Sequence, residues 1–507
     1  MKNRTLLLLL FVAVKFLLQY YAIHPVYELH RDEFLHLDLG KHLAWGYTSV
    51  PPITGWLSYV ILLLGKSVFW IKFFPSLFGA LTLVVVWKMI EALGGKLFAL
   101  VLGAVSVICS VFLRINILYQ PTSLEYLIWT AIFYTVLRYI QGKEVKWLWY
   151  TAVLIAIGML NKYNIAFLLL GLLPAIALSE HRKIFAQKQF YAAFACAILL
   201  VLPNLLWQYE HGFPVIRHMR TLSDTQLVHV SRTDFLKEQL LFFTGSIYVL
   251  IAGIIGLYRY GPFRKFRLFL WTFVFVLLLY LYFRAKSYYS IGLYPMLLAF
   301  GSVYLETLFQ TTRRYWLQAA LILIPVISLI PLYPVVLPVR TPEQITAKPE
   351  LYQRLGLLRW EDGNTYPLPQ DFADMLGWKE LGALVDSAFT LIHEKNQTLI
   401  HCDNYGQAGA INYYSKNSPT EALTLNADYV YWYPLDDLEI KHVILVQSAN
   451  DDDPERTREK PWFTSVSLIG EIENEFARER GTRVYLLRGA KRSINEILRV
   501  EIETESR

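Results

Sequence analysis

The chain has 507 residues, of which 55% are hydrophobic, 15% aromatic and 18% charged, and its mean hydropathy is positive. That combination excludes an ordinary soluble globular protein and makes the lipid bilayer the first partner to consider. The formal charge of +7 calls for no nucleic acid, because residues 1–340 carry 30 Lys/Arg against 13 Asp/Glu while residues 341–507 carry 18 against 28. A basic membrane half is what cytoplasmic loops rich in Lys and Arg produce. Cys109 and Cys196 lie in apolar runs and Cys402 in the polar half, so neither a disulfide framework nor a cysteine metal site is readable.

From the N-terminus, Lys2 and Arg4 precede an apolar stretch from Leu6 to Leu18 that Lys15 interrupts. No small-residue cleavage site follows and Tyr20-Tyr21 reads as an interfacial anchor, so this stretch is expected to be a retained first span. Crossing a hydrocarbon core of ~30 Å takes about 20 apolar residues. Eleven segments are candidates: 5–23, 67–90, 97–113, 122–140, 147–160, 163–179, 190–207, 239–258, 267–283, 289–309 and 315–337. With the N-terminus in the cytoplasm, the basic loops 91–96, 141–146, 180–189, 259–267 and 310–314 all fall inside. The long loops 24–66 and 208–238 and the last 167 residues, 341–507, then fall outside.

Pro331, Pro334, Pro338 and Pro342 are expected to mark the exit from the last span. Residues 341–507 read as an extracytoplasmic α/β domain, helical over Phe372 to Ile392, with strands at Thr398–Cys402, His442–Val446 and Arg483–Leu487 and a charged surface helix after Arg488.

The densest polar cluster beside a span is His24-Pro-Val-Tyr-Glu-Leu-His-Arg-Asp-Glu-Phe-Leu-His-Leu-Asp38. Acidic groups at a membrane surface cost desolvation energy and need a reason. One reason is structural, with Asp32 and Glu33 capping a helix from Phe34 to Trp45. The other is chemical: a carboxylate there can deprotonate an acceptor hydroxyl, with apolar surroundings raising its pKa toward usefulness. Gly46 to Pro52 then turns the chain back to the membrane.

Arg114, Asn116, Gln120, Glu125, Asn161, Lys162, Arg284 and Lys286 fall at the outer ends of spans in this topology. Cations there oppose the positive-inside trend. Each alone reads as a snorkelling side chain, whereas together they suit an anionic lipid phosphate. Glu210, His211 and His218 lack a known metal-ligand spacing. Asp403 to Gly409 lacks a complete G-x-G-x-x-G and reads as a structural turn, and Asp451 to Asp453 as a solvated loop.

Arg31-Asp-Glu33, the run His36 to Tyr47 and Pro51-Pro52 resemble the first external loop of glycosyltransferase family 39, which holds protein O-mannosyltransferases and lipid A aminoarabinose transferases. In order along the chain, Gln120 to Glu125 with Trp129, Leu160-Asn-Lys-Tyr163, Lys286 to Tyr289 with Leu293-Tyr-Pro295, Asp374 to Trp378 and Asn404 to Ala410 extend the resemblance over nearly the whole length.

The resemblance implies a polytopic α-helical membrane protein of GT-C type, with about 11 transmembrane helices over 1–340 and the external domain after them. It implies transfer of a sugar, with inversion, from an undecaprenyl-phosphate or other polyprenyl-phosphate donor at the outer face of a bacterial inner membrane. Asp32, with Glu33 beside it, would be the general base. Lys286, Arg284, Lys162 and Arg114 would hold the donor phosphate, and His36, Asp38, Tyr47, Glu125 and Tyr288 would position substrate. The acceptor would be a lipid, glycan or protein, with no nucleic acid involved. Some members use a divalent ion such as Mg2+ or Mn2+ and others none, and the adjacent Asp-Glu pair gives no separated D-x-D. The competing reading is a flippase or transporter of lipid-linked sugars, against which stands the lack of a clear internal repeat.

Overall fold

The structure, a computed structural model, describes residues 2–225, 227–309 and 315–506. The loop 310–314, assigned above to the cytoplasm, lies outside the described residues. The chain forms two compact units: residues 1–23, 50–53 and 69–339, and residues 24–49, 54–68 and 340–507.

The first unit is helical. Six of the described helices are long and apolar enough to cross a membrane: Asn3–Tyr20, Val68–Ala92, Lys188–Glu210, Gly261–Tyr282, Ser287–Phe309 and Tyr315–Val336. A seventh span arises if Arg232–Leu241 and Thr244–Arg259, bent by 67°, count as one. Each of the eleven expected segments contains helix, but several are short. The segment 97–113 is helical only over Leu97–Ile108 and Phe112–Ile115. Those at 147–160 and 163–179 form helices of 16 and 13 residues.

The prolines after the last span are also placed differently. Pro325, Pro331 and Pro334 lie inside the helix Tyr315–Val336, which neighbouring groups tolerate in a membrane helix. Only Pro338 and Pro342 follow it, Pro342 at the first turn of the helix Pro342–Thr346, where its missing N–H costs nothing.

Close backbone approach fixes the helix pair Ile247–Arg259 and Tyr294–Phe309. A Cβ at Gly301 would stand 1.9 Å from the Val249 carbonyl oxygen, and one at Gly253 would stand 2.4 Å from that of Leu297. Small residues at the crossing are how membrane helices gain van der Waals contact without a hydrophobic driving force.

The second unit is an α/β domain on a five-stranded mixed sheet, β1 Thr398–Cys402, β2 Ala422–Thr424, β3 His442–Gln447, β4 Phe463–Glu471 and β5 Arg483–Ala490, in the order β2-β1-β3-β5-β4. The pairs β1–β2 and β1–β3 are parallel, while β3–β5 and β4–β5 are antiparallel. The sequence pattern found the three central strands and missed both edges. β2 has three residues, and β4 mixes Ser and Thr into a half-exposed face with a bulge between Leu468 and Gly470.

The helix expected from Phe372 to Ile392 is two helices, Gln370–Ala373 and Trp378–Thr390. Gly377 separates them at φ +87°, and a Cβ there would meet Ala477 and Ile472 at 3.0 and 3.1 Å. The charged tail forms the expected helix, Ile494–Ser506.

The loop after the first span folds in this second unit. Its segment from Glu28 to Arg31 is zipped to residues 374–379: Glu28 N–H donates to the Met375 carbonyl at 2.8 Å, and Arg31 N–H to that of Asp374 at 3.2 Å. The Glu28 carboxylate accepts the N–H groups of Trp378 and Lys379 at 2.7 and 3.0 Å, satisfying donors at the start of Trp378–Thr390.

Candidate functional site

Around Asp32 the chain is organised by a helix start. The helix spans Arg31–Leu39 with His30 as N-cap, not Phe34 to Trp45, and it ends at Gly40, where a Cβ would meet the Ser58 and Tyr59 backbone at 2.7 Å. His30 Nδ1 accepts the Asp32 N–H at 3.2 Å, and the Glu33 carboxylate accepts the His30 N–H at 2.8 Å. That reciprocal pair is a capping box. Glu33, fully buried, is therefore committed to capping, whereas the Asp32 side chain is 33% exposed.

Asp32 Oδ1 accepts a hydrogen bond from the Tyr405 hydroxyl at 2.9 Å, and Oδ2 stands 3.9 Å from His30 Nδ1. The Arg31 guanidinium lies 4.6 Å above the Tyr405 ring. Burial pushes the Asp32 carboxyl upward, but His30, Arg31, His36 and the Tyr405 hydrogen bond outweigh it and hold it below the ordinary carboxylate range. This corrects the raised pKa expected from the sequence: the surroundings are polar and cationic, not apolar. Burial conversely raises Asp374, despite His30 and Arg478 nearby. Arg478 reaches the Asp374 carboxylate at 3.2 Å.

The segment Asp403 to Gly409, read as a turn, leads into and forms the first part of the helix Tyr405–Tyr414, entered directly after β1. Asn404 Oδ1 caps it by accepting the N–H groups of Gly406 and Gln407 at 3.0 and 3.2 Å. Gly406 and Gly409 let it approach Arg31–Leu39. A Cβ at Gly409 would stand 2.6 Å from Phe34 Cβ and 2.8 Å from the Tyr429 hydroxyl, and one at Gly406 would stand 3.3 Å from Arg31 Cβ. The motif thus brings Tyr405 to Asp32.

Of the expected substrate-positioning residues, Asp38 and Tyr47 have side chains held within this unit. Asp38 is buried and accepts from Asn412 Nδ2 and the Tyr429 hydroxyl, each at 2.7 Å, with Lys41 Nζ at 2.9 Å. The Tyr47 hydroxyl donates to the carbonyls of Leu39 and His42 at 3.1 Å and accepts the Ala44 N–H at 3.2 Å, and burial pushes it up to about 12. His36 is buried, and its carbonyl accepts the Ser58 hydroxyl at 2.5 Å.

In the first unit, Glu125, Lys162 and Tyr288 do come together. Lys162 Nζ lies 3.0 Å from Glu125 Oε2, 4.8 Å from the Tyr289 ring centroid and 5.4 Å from that of Tyr288. The other Glu125 oxygen accepts from Asn164 Nδ2 at 2.5 Å, whose Oδ1 accepts the Tyr280 hydroxyl at 2.8 Å. Lys162 is thus a cation with a buried carboxylate on one side and π faces beside it. Sequence reasoning missed Asn164, Tyr280 and Tyr289; a polar triplet Asn161 to Tyr163 next to Asn164 was the available signal.

Lys286 is half-buried at the entry to the turn Ser287–Leu293. Arg284 is exposed at φ +52°, and Arg114 is half-buried in the short helix Phe112–Ile115. Among the described residues no group of three or more His, Cys, Asp or Glu could hold a metal ion. The side chain of His218 lies outside the described residues.

Residues 49–207 match a family model described as dolichyl-phosphate-mannose-protein mannosyltransferase. The match takes in Pro51-Pro52, Glu125 and Lys162 and begins after Asp32. No curated protein sequence matches the chain. Among solved structures, ArnT from Cupriavidus metallidurans in the apo state is similar with a TM-score of 0.63 and 11% identity, over 95% of this chain and 98% of that one. The same protein bound to undecaprenyl phosphate is similar at 0.62 and 12%, over 94% and 97%. The archaeal oligosaccharyltransferase AglB from Archaeoglobus fulgidus, in complex with an inhibitory peptide and a dolichol-phosphate, gives 0.45 and 11%, over 86% and 69%. The chain is a multi-pass membrane protein whose fold is similar to that of ArnT, with a C-terminal α/β domain, and the match to the mannosyltransferase family model is confined to residues 49–207.

Proposed function

We propose that this chain is a membrane glycosyltransferase that moves a sugar from a polyprenyl-phosphate donor to a hydroxyl of a lipid, glycan or protein at the outer face of a bacterial inner membrane. The observation that carries the reading is Asp32: an ionised, partly exposed carboxylate oriented by Tyr405 and His30, on a chain whose fold is shared with a protein bound to undecaprenyl phosphate. With a pKa below the ordinary range, Asp32 is present as carboxylate at neutral pH. It orients the acceptor O–H and takes its proton as the C–O bond to the lipid phosphate breaks, when that proton has become acidic.

One base-assisted displacement inverts the anomeric carbon. The leaving phosphate needs electrostatic stabilisation more than covalent catalysis, and Lys162 in the first unit is the cation best suited to give it. Its pairing with Glu125 keeps it ordered until a phosphate competes for it. Lys286, Arg284 and Arg114 stand as further phosphate contacts. In this role Glu33, Asp38 and Tyr47 support the loop rather than meet substrate. Whether Mg2+ or Mn2+ takes part is tested by running the transfer with and without a chelator.

The test is transfer from a panel of radiolabelled undecaprenyl-phosphate sugars by the purified wild type and Asp32→Asn, with envelope extract as acceptor. Transfer that falls at least about a hundredfold in a folded Asp32→Asn protein supports the reading. Equal transfer by both removes Asp32 from the mechanism. No transfer from any donor, with lipid-linked sugar moving across proteoliposomes, replaces the enzyme by a transporter.

A further inference from the structure

Beside Asp32 stands an imidazole whose proton-carrying capacity the reaction outlined above does not use. His30 is 4% exposed, and its two nitrogens have different duties. Nδ1 accepts the Asp32 N–H at 3.2 Å, so in the neutral ring the proton resides on Nε2. Nε2 meets no hydrogen-bond acceptor within bonding distance, but it faces two carboxylates, Asp374 Oδ2 at 3.7 Å and Asp371 Oδ1 at 3.9 Å. Asp374 is 1% exposed and tied to Arg478, whereas Asp371 is 47% exposed. A capping helix needs none of this: Ser, Thr, Asp or Asn would cap as well.

We propose that His30 is a positioning residue for Asp32 and the exit for the proton Asp32 collects, with Asp374 holding the imidazole and Asp371 opening the route to water. The inference rests on the transferase reading. After transfer, the Asp32 O–H bond breaks and an N–H bond forms at His30 Nδ1. The 3.9 Å gap from Oδ2 closes by a side-chain torsion or one bridging water. The imidazolium then releases its Nε2 proton to the Asp371 carboxylate and from there to solvent, leaving Asp32 ionised and the ring neutral with its proton on Nδ1. That proton passes through water to Nε2, which restores the Nε2–H form and the hydrogen bond from the Asp32 N–H for the next acceptor. The charged or titratable groups around the ring are Arg31, Asp32, Glu33 and His36 on its own helix, Asp371 and Asp374 with Arg478 behind them, and Tyr405 from the facing helix.

The test uses the full chain in detergent and two readouts. His30→Asn keeps a side-chain oxygen for the cap and removes the proton carrier. We expect kcat to fall about 10- to 100-fold, with donor KM within twofold of wild type and the acid limb of kcat at higher pH, because the imidazolium no longer favours the Asp32 carboxylate. A variant with wild-type kcat and pH profile overturns the proposal. So does a loss seen only in KM. The second readout is 15N-histidine NMR, with the His30 signal assigned by its absence in His30→Asn. We expect the Nε2–H tautomer and a titration that shifts in Asp32→Asn and in Asp374→Asn. An Nδ1–H tautomer, or a titration indifferent to both variants, overturns the proposal even if the protein transfers sugar. If no donor supports transfer, the transferase reading falls while the NMR still decides whether His30 and Asp32 share a proton.

Discussion

Tyr405→Phe removes one hydroxyl and leaves the ring on which Arg31 lies. The lost interaction is a hydrogen bond of 2.9 Å to a charged carboxylate, a class worth about 1.5–3 kcal/mol when shielded. Because the Asp32 side chain is 33% exposed, water replaces part of it, and about 1 kcal/mol is a fair expectation. That energy favours the ionised form, so its loss raises the Asp32 pKa by a little under one unit, at about 1.4 kcal/mol per unit. The sign follows from linkage: a depressed carboxylate adds stability above its unfolded pKa and loses it as pH falls through the folded value. Tyr405→Phe should therefore destabilise the protein by about 1 kcal/mol at neutral pH and by less in acid. The acid limb of kcat/KM should move upward by up to about one unit. The assay is a pH series of sugar transfer on both proteins, paired with thermal unfolding at neutral and acid pH. A limb that stays in place or moves downward would refute the claim that Tyr405 supports the ionised Asp32.

Lys162→Met leaves Glu125 buried without its cation and should cost about 3–5 kcal/mol of stability. The pair Lys162→Met with Glu125→Gln should recover most of that in a thermal-shift assay while donor KM stays raised at least about tenfold, since one lost charged contact of about 1.4 kcal/mol is worth that factor. Gly409→Ala and Gly301→Ala should each lower thermal stability by about 1–3 kcal/mol through overpacking, whereas Gly261→Ala, with nothing within 4 Å, should leave it unchanged. Glu421 is opposed by burial but held down to about 2 by His42 and Lys41. Glu421→Gln should therefore lower stability at pH 7 by up to about 1 kcal/mol after allowing for its exposure, with the difference fading as pH falls from 4.5 toward 2 in a pH series of unfolding midpoints.

The sequence announced the membrane half because a span is a property of composition: about 20 apolar residues in a row need no partner to be recognised. Breaks inside a span are another matter. Val111 N–H donates to the Phe242 carbonyl, a contact 131 positions away that no local pattern reports, and it accompanies the interrupted helix after Ile108. Pro331 and Pro334 read as an exit because proline breaks helices in water; inside apolar surroundings the same residues stay helical. In the soluble half, the central strands showed as short apolar runs such as Val443-Ile-Leu-Val446, while β2, only three residues long, and β4, half-exposed, did not. Asp32 was legible as a conspicuous acid on a loop, yet its ionisation state was not, because Tyr405 lies 373 positions away. Glu33 looked equivalent to Asp32 until the capping box distinguished them.

The folding of residues 24–49 with residues 340–507 has a consequence in time. A ribosome adding about 5–20 residues per second needs on the order of 20–75 s to go from Asp32 to Tyr405, so the loop emerges long before its partners exist. During that interval the helix Arg31–Leu39 has neither the Tyr405 hydroxyl on its carboxylate nor Gly409 beneath Phe34, and nine residues are too few for a helix to persist alone. Interruption of synthesis before the C-terminal sheet would leave a membrane-inserted protein whose candidate base is unformed, so completion of the chain itself acts as the licence for activity.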